Sequence, residues 1–254
     1  MAIKLVIAGY AGRMGSSIAA LALSDSVFTV AGAIESAGHP SLGQDVGTLV
    51  GTKALGVRLT DDAASAIRVG EVVIEFTQPQ ATLEHLKLAI QAKKPMIIGT
   101  TGFSESERAA IAEAAKTIPI VFSPNMSVGV NVLFELVQTA AKRLGLTYDV
   151  EVVEAHHRMK KDAPSGTAKR LAEVLASSRQ QPVEKIPVHA IRAGDIVGDH
   201  TVIFAGKAER VELTHRAQGR DVFAQGALKA AQFIRGQRPG LYDMSHVLQG
   251  VKSP

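Results

Sequence analysis

Through its first 125 or so residues the chain alternates short apolar runs with longer stretches of mixed spacing. Ile3–Ala8 is largely apolar and stops at Gly9, the pattern of a parallel strand buried on both faces. SSIAALALS, after the glycine-rich residues 9–15, predicts a helix, and Val27–Ile34 predicts a second strand ending at Glu35. Residues 71–77, 95–99 and 118–123 repeat the short apolar run, with helical spacing at Ala81–Gln91 and Glu105–Lys116. Strands alternating with helices in this order predict βαβ units and a parallel sheet.

Near 126–131 the rhythm changes. Residues 131–144 predict an apolar-rich helix, 147–154 a strand and Ala168–Ser177 another helix. Val188–Ala193, Thr201–Ala205 and Arg210–Thr214 then follow closely as strands, the last two joined at Gly206-Lys207, which indicates antiparallel pairing. A helix is expected over 221–235. The expected fold is α/β: a parallel-sheet domain over 1–127 and an α+β domain over 128–236, with the tail 237–254 packing back on the first.

Composition narrows the class. Of 254 residues 46% are apolar and only 4% aromatic, with no Trp, so the core must rest on Val, Ile, Leu and Ala. The absence of cysteine excludes disulfides, thiolate metal sites and a cysteine nucleophile together. MAIKLVIAG enters an apolar run at once, without the charged and apolar regions of a leader, and no stretch approaches a membrane span. A cytoplasmic protein with no membrane partner is expected. The formal charge of +4 is mildly basic. Its densest cations lie in EAHHRMKKDAPSGTA (154–168), which contains no aromatic residue, so a pocket for a small anion is expected rather than a nucleic-acid groove.

Glycines at 9, 12 and 15 between a strand and a helix suit a dinucleotide pyrophosphate, because they allow a tight turn and close backbone approach to a helix N-terminus. The spacing is G-x-x-G-x-x-G, and many strand–helix turns carry glycines for steric reasons alone. Glu35, about twenty residues on at the end of the next strand, strengthens the reading, since an acidic residue there grips ribose hydroxyls. Its carboxylate would also repel a 2′-phosphate, and Ser36 brings no cation, so NADH is favoured over NADPH although Arg13 could approach a phosphate.

In 154–168 a histidine near cations can protonate a centre that has just received hydride. His156 and Lys160 are four apart and would share a face on a helical turn, though not necessarily in a loop. Asp162 and Pro164 mark a helix entry, with Ser165, Gly166 and Thr167 in the first turn as a carboxylate site. Lys161 and Lys169 read as solvated charges. No metal is expected: adjacent histidines seldom ligate one ion, and the cations oppose it.

EAHHRMKKDAPSGTA closely resembles the signature of the dihydrodipicolinate reductase (4-hydroxy-tetrahydrodipicolinate reductase) family. VIAGYAGRMG, EFTQPQATLEHL, IIGTTGF, SPNMSVGVNV and RAGDIVGDHTVIFAG follow in that family's order. The resemblance implies a Rossmann-like dinucleotide-binding domain, a substrate-binding domain whose open mixed sheet builds a homotetramer, and use of NADH or NADPH. It further implies reduction of a cyclic imine dicarboxylate to tetrahydrodipicolinate in lysine and diaminopimelate synthesis. By position, His156 is the implied proton donor with Lys160 as its partner, while His157, Gly166 and Thr167 contact substrate. Gly9, Tyr10, Ala11, Gly12, Arg13 and Met14 are implied at the pyrophosphate and Glu35 at the ribose. Gly99, Thr100, Thr101, Ser123, Pro124, Asn125 and Met126 lie along the nicotinamide half.

Met159 stands where many relatives carry a third histidine, and Ser36 and Gln78 stand where arginines are common, which again favours NADH. Residues 178–192 form a shorter segment than in some relatives. Two other classes fit parts of the pattern. Another two-domain nicotinamide oxidoreductase would leave the HHxxK cluster unexplained, and a non-catalytic NAD sensor would not need a proton donor.

Overall fold

The structure is a computed structural model that describes residues 1–250. The elements follow in the order β1 (Ile3–Ala8), α1 (Arg13–Ser24), β2 (Phe28–Ile34), α2 (Val46–Leu49), β3 (Leu59–Thr60), α3 (Ala63–Val69), β4 (Val72–Glu75), α4 (Pro79–Ala92), β5 (Met96–Ile98), α5 (Glu105–Ala114) and β6 (Pro119–Phe122). Then come α6 (Val128–Leu144), β7 (Asp149–His156), α7 (Gly166–Arg179), β8 (Val188–Arg192), β9 (Gly198–Ala205), β10 (Arg210–Ala217), α8 (Asp221–Ile234), β11 (Gly240–Tyr242) and α9 (Met244–Gln249).

The chain forms two compact units. The first joins Met1–Met126 to the chain from Phe223 onward; the second is Ser127–Val222. In the first, seven parallel strands lie in the order β11-β6-β5-β4-β1-β2-β3. These strands are short and almost wholly apolar because helices cover them, and Val6, Val73, Ile98 and Ile120 pack against Leu86 and Ile111. Strand order reverses direction between β1 and β4, so the edge beyond their carboxyl ends is the crevice where open α/β sheets take ligands.

The second unit is a four-stranded sheet, β10-β9-β7-β8, with β7 and β8 parallel and the other pairs antiparallel. Strict alternation of buried and half-buried residues along β7 and β9 marks a sheet with one covered face. Val152, Val202 and Phe204 on that face pack against Leu133 and Val137 of α6 and Leu171 of α7. Burying each large side chain contributes about 1.5–3 kcal/mol.

Several elements depart from the sequence reading. The helix expected over 221–235 forms, but its buried side chains belong with the first unit, where Arg235 reaches Glu71 Oε1 at 3.3 Å. The second unit therefore ends at Val222, not at 236. Residues 237–250 supply β11, paired with β6, and α9; the remainder of the expected tail, 251–254, lies outside the described residues. Between Glu35 and Gly70 the structure adds α2, β3 and α3, for which no hydrophobic period gave notice. A single carboxylate organises much of that stretch: Asp45 accepts from the amides of Gly47, Thr48, Leu55 and Gly56.

Candidate active site

Because the first unit's strands are parallel, the segments leaving β1, β2, β4, β5 and β6 emerge at one edge. Gly9–Met14, Glu35, Gly99–Thr101 and Ser123–Met126 thus share it. Gly9 turns with φ +72°, and a side-chain carbon on Gly15 would lie 2.1 Å from the Gly9 carbonyl oxygen, so α1 starts as close to the loop as backbone allows. The N-cap Gly12 provides no side-chain acceptor to the first turn of α1. That donor set fits a pyrophosphate, which would accept from first-turn amides at the positive end of the helix. Glu35 sits beside the same loop: its carboxylate accepts from the Ala11 amide at 3.2 Å and the Ser36 amide at 2.9 Å.

Several of the expected cofactor residues have buried side chains engaged within the protein. The Tyr10 side chain is fully buried and donates to the Val46 carbonyl, its hydroxyl pushed above its usual range first by burial and then by Asp45. Thr100 is buried, accepting from the Thr77 amide at 3.1 Å and the Thr82 hydroxyl at 3.0 Å. Met126 is buried, Ser123 Oγ closes on the Asn125 carbonyl at 2.8 Å, and Thr101 and Pro124 are exposed. Beneath this edge lies a buried pair that sequence reasoning passed over: Glu75 bonds Thr77 Oγ1 and, at 2.8 Å, His85 Nδ1.

The second unit gathers the residues of 154–168. His156 is the last residue of β7 and Lys160 lies beyond a turn, so the two are not on a helical face. They are close enough that the Lys160 charge acts on the imidazole. Lys160 Nζ meets Asp162 Oδ1 at 2.8 Å, holding that carboxyl below its usual range. His157 is half-buried, and Gly166, exposed, opens α7 with Thr167 next to it. Ser165 caps that helix, its hydroxyl accepting from the Ala168 amide at 3.2 Å. Met159 is exposed, away from the cluster's hydrogen bonds.

Around His156 the structure adds three residues the sequence did not single out, Glu154, Arg192 and His200. Glu154, fully buried, takes His156 Nδ1 at 2.5 Å, both Arg192 terminal nitrogens at 2.8 and 2.9 Å, and the Ser165 amide at 3.1 Å. Burial alone would raise its carboxyl; the Arg192, His156 and Ser165 hydrogen bonds together hold it below the usual value. His156 is lowered, first by burial and then by Lys160 and Arg192, against the pull of Glu154. His200 meets the His156 ring edge-on and takes Ser165 Oγ at 3.2 Å; burial pushes it down to about 4. A period-2 reading places Glu154 and His156 on one face of a strand, a signal available in the sequence. Arg192 needs the β7–β8 register, which pairs it with His156.

A parallel-sheet unit with a glycine loop at its switch point, followed by an α+β unit carrying a histidine–lysine cluster, defines a two-domain nicotinamide oxidoreductase. The family patterns described as "Dihydrodipicolinate reductase, N-terminus" and "Dihydrodipicolinate reductase, C-terminus" match residues 3–126 and 129–248. The chain is 49% identical over 262 residues to a 4-hydroxy-tetrahydrodipicolinate reductase of Anaeromyxobacter dehalogenans (strain 2CP-C), covering 96% of this chain and 97% of that one. It is 46% identical to the enzyme of that name from Geotalea uraniireducens (strain Rf4), covering 97% and 98%. A dipicolinate-bound dihydrodipicolinate reductase from Paenisporosarcina sp. TG-14 shares the fold, with a TM-score of 0.81 at 22% identity over 96% of this chain and 98% of that one. The chain belongs to the dihydrodipicolinate reductase family, and so is an NAD(P)H-dependent oxidoreductase of lysine and diaminopimelate biosynthesis.

Proposed function

We propose that this chain reduces 4-hydroxy-tetrahydrodipicolinate to tetrahydrodipicolinate, with His156 as proton donor and Lys160 as its electrostatic partner. The observation that carries the reading is a titratable imidazole, a lysine and the exposed first turn of α7 within one small cluster. NAD(P)H, when bound, supplies the hydride. The dicarboxylate substrate is held by His157 and by the helix start at Gly166 and Thr167, where the helix dipole favours an anion. Burial, Lys160 and Arg192 favour the neutral form of His156 in the free protein. The arriving dianion raises its proton affinity, so the imidazole is charged when there is negative charge to quench. On the cofactor side Gly9–Met14 take the pyrophosphate, Glu35 the ribose, and Gly99–Thr101 with Ser123–Met126 the nicotinamide half. NADH is the better reductant, because the Glu35 carboxylate opposes a 2′-phosphate and Ser36 offers no counter-charge.

The enzyme works in the cytoplasm as a homotetramer. Supporting this, α6 and α7 pack on one face of the four-stranded sheet, while Val153, Ala155 and Ile203 on the other are only half-buried and Ile191 is exposed. Among the described residues no helix is long and apolar enough to cross a membrane.

The test is a coupled assay: substrate is generated by its upstream synthase and oxidation of NADH or NADPH is followed. Turnover is expected, with the higher kcat/KM for NADH and kcat lowered about 100-fold or more in His156→Ala and Lys160→Ala. No turnover with either cofactor overturns the activity, and near wild-type kcat in both variants overturns the donor assignment.

A further inference from the structure

A donor histidine has two ring nitrogens, and which one carries the proton in the resting protein decides which one faces the chemistry. At His156 the surroundings settle the matter. Nδ1 lies 2.5 Å from Glu154 Oε2. That carboxylate is saturated from its other sides, by Arg192 through both terminal nitrogens and by the Ser165 amide. Three donors converging on a fully buried carboxylate keep it ionised, so it can only accept, and the shared hydrogen must sit on Nδ1. Nε2 is then the nitrogen that gains and loses a proton. Beside it stands Gly198, where a side-chain carbon would approach within 3.1 Å of Nε2, so glycine leaves a methyl-sized opening at that atom.

We propose that Glu154, clamped by Arg192 and the Ser165 amide, is a positioning residue. It fixes His156 with hydrogen on Nδ1 and reserves Nε2 for proton exchange with the substrate. The inference rests on the reading of His156 as proton donor. Glu154 touches neither substrate nor cofactor in this scheme; it acts through the ring. The same clamp ties the donor to the substrate side of the cluster. Arg192 also donates to the Asp162 carbonyl at 2.6 Å, and Ser165 is the cap of the helix whose first turn would receive a carboxylate. Ring orientation, loop 160–165 and the start of α7 are therefore set by one carboxylate.

The charged and titratable groups around the imidazole come from every neighbouring strand. Glu154 lies on β7 itself, Lys160 and its partner Asp162 on the following loop, Arg192 on β8 and His200 on β9, with His215 of β10 opposite His200. Of these only Glu154 is an anion in contact with His156; Lys160 and Arg192 act against protonation. Replacing it removes the one contact that favours the charged ring.

Three measurements test this. Nitrogen NMR of the ligand-free wild-type protein should show the neutral His156 ring protonated on Nδ1; a ring protonated on Nε2 overturns the proposal without any variant. In Glu154→Gln, kcat should fall about 10-fold to 100-fold while substrate KM changes little, and the basic limb of the kcat–pH profile should move to lower pH. Arg192→Lys, which keeps the charge but loses the two-pronged bond, should lie between that variant and wild type. If Glu154→Gln folds and keeps the wild-type pH profile and kcat, the positioning role is refuted. His156→Ala separates the two readings. Full kcat there means the donor lies elsewhere, whereas a crippled His156→Ala beside an unperturbed Glu154→Gln means only the positioning role is wrong.

Discussion

His200 is an imidazole buried where its charged form is disfavoured, and that should make the protein acid-sensitive in a defined window. The residue is 3% exposed, and its value is depressed from 6.5 to about 4, first by burial and then by His156. A histidine depressed in the native state is protonated first in the unfolded chain. Its contribution is therefore complete above pH 6.5 and is lost as pH falls toward 4. The full displacement corresponds to about 3 kcal/mol, of which about 2 kcal/mol falls between pH 7 and pH 5. His156 and His215 are lowered too, and push the same way; His85, raised by Glu75 despite its burial, pushes the other way and loses its contribution as pH rises. His200→Gln keeps a polar side chain that can reach Ser165 but cannot titrate. Urea unfolding of wild type and variant at pH 7 and pH 5 should show the wild type losing about 2 kcal/mol more than the variant. Equal losses in both, or an NMR titration placing the His200 midpoint near 6.5, would refute the reasoning.

Other expectations follow from single contacts. Gly15→Ala drives a methyl group against the Gly9 carbonyl, backbone that cannot give way, so calorimetry should show NADH affinity reduced about tenfold or more in a folded protein. Unchanged affinity would remove the glycine loop from the cofactor site. Phe204→Ala empties a fully buried position in the second unit's core and should cost about 3–5 kcal/mol in urea unfolding. Glu35→Ala removes the carboxylate beside the glycine loop, and the NADPH-to-NADH ratio of kcat/KM should rise by about tenfold. A ratio that stays put would mean the preference is set elsewhere.

What could be read from the sequence was whatever announces itself by local pattern. The apolar run of β1 carried over residue for residue, and those of β4, β5 and β6 with the spacing of α4 and α5 to within two residues at each end, because parallel strands under helices have a hydrophobic signature of their own. Residues 36–70 were opaque because hydrogen bonds to Asp45 shape much of them, and a carboxylate that collects distant amides leaves no period behind. The functional cluster divides the same way. His156 and Lys160 stand out as residue types in one short segment, but their relation as strand end and turn, rather than helix face, depended on how far β7 ran. Glu154 was within reach through strand alternation. Arg192 and His200 were not, since both arrive by cross-strand register from residues well over thirty positions away. The same holds for α8, whose membership of the first unit depends on partners more than a hundred positions upstream.

That membership has a consequence for how the protein is made. The second unit is one unbroken stretch, Ser127–Val222, so a ribosome delivers everything it needs in a single piece. The first unit is begun earlier but must wait. Its sheet lacks the strand beside β6, and α8 with its buried Ala224, Ala227, Ala231 and Ile234 does not yet exist, until the intervening unit has been synthesised. During that interval the outer edge of β6 is an unpaired parallel strand of Pro119, Ile120, Val121 and Phe122, an apolar edge of the kind that invites pairing with another chain. The first unit can close only once α8 and β11 have been synthesised, and a truncation after Val222 should yield a folded second unit attached to an aggregation-prone first one.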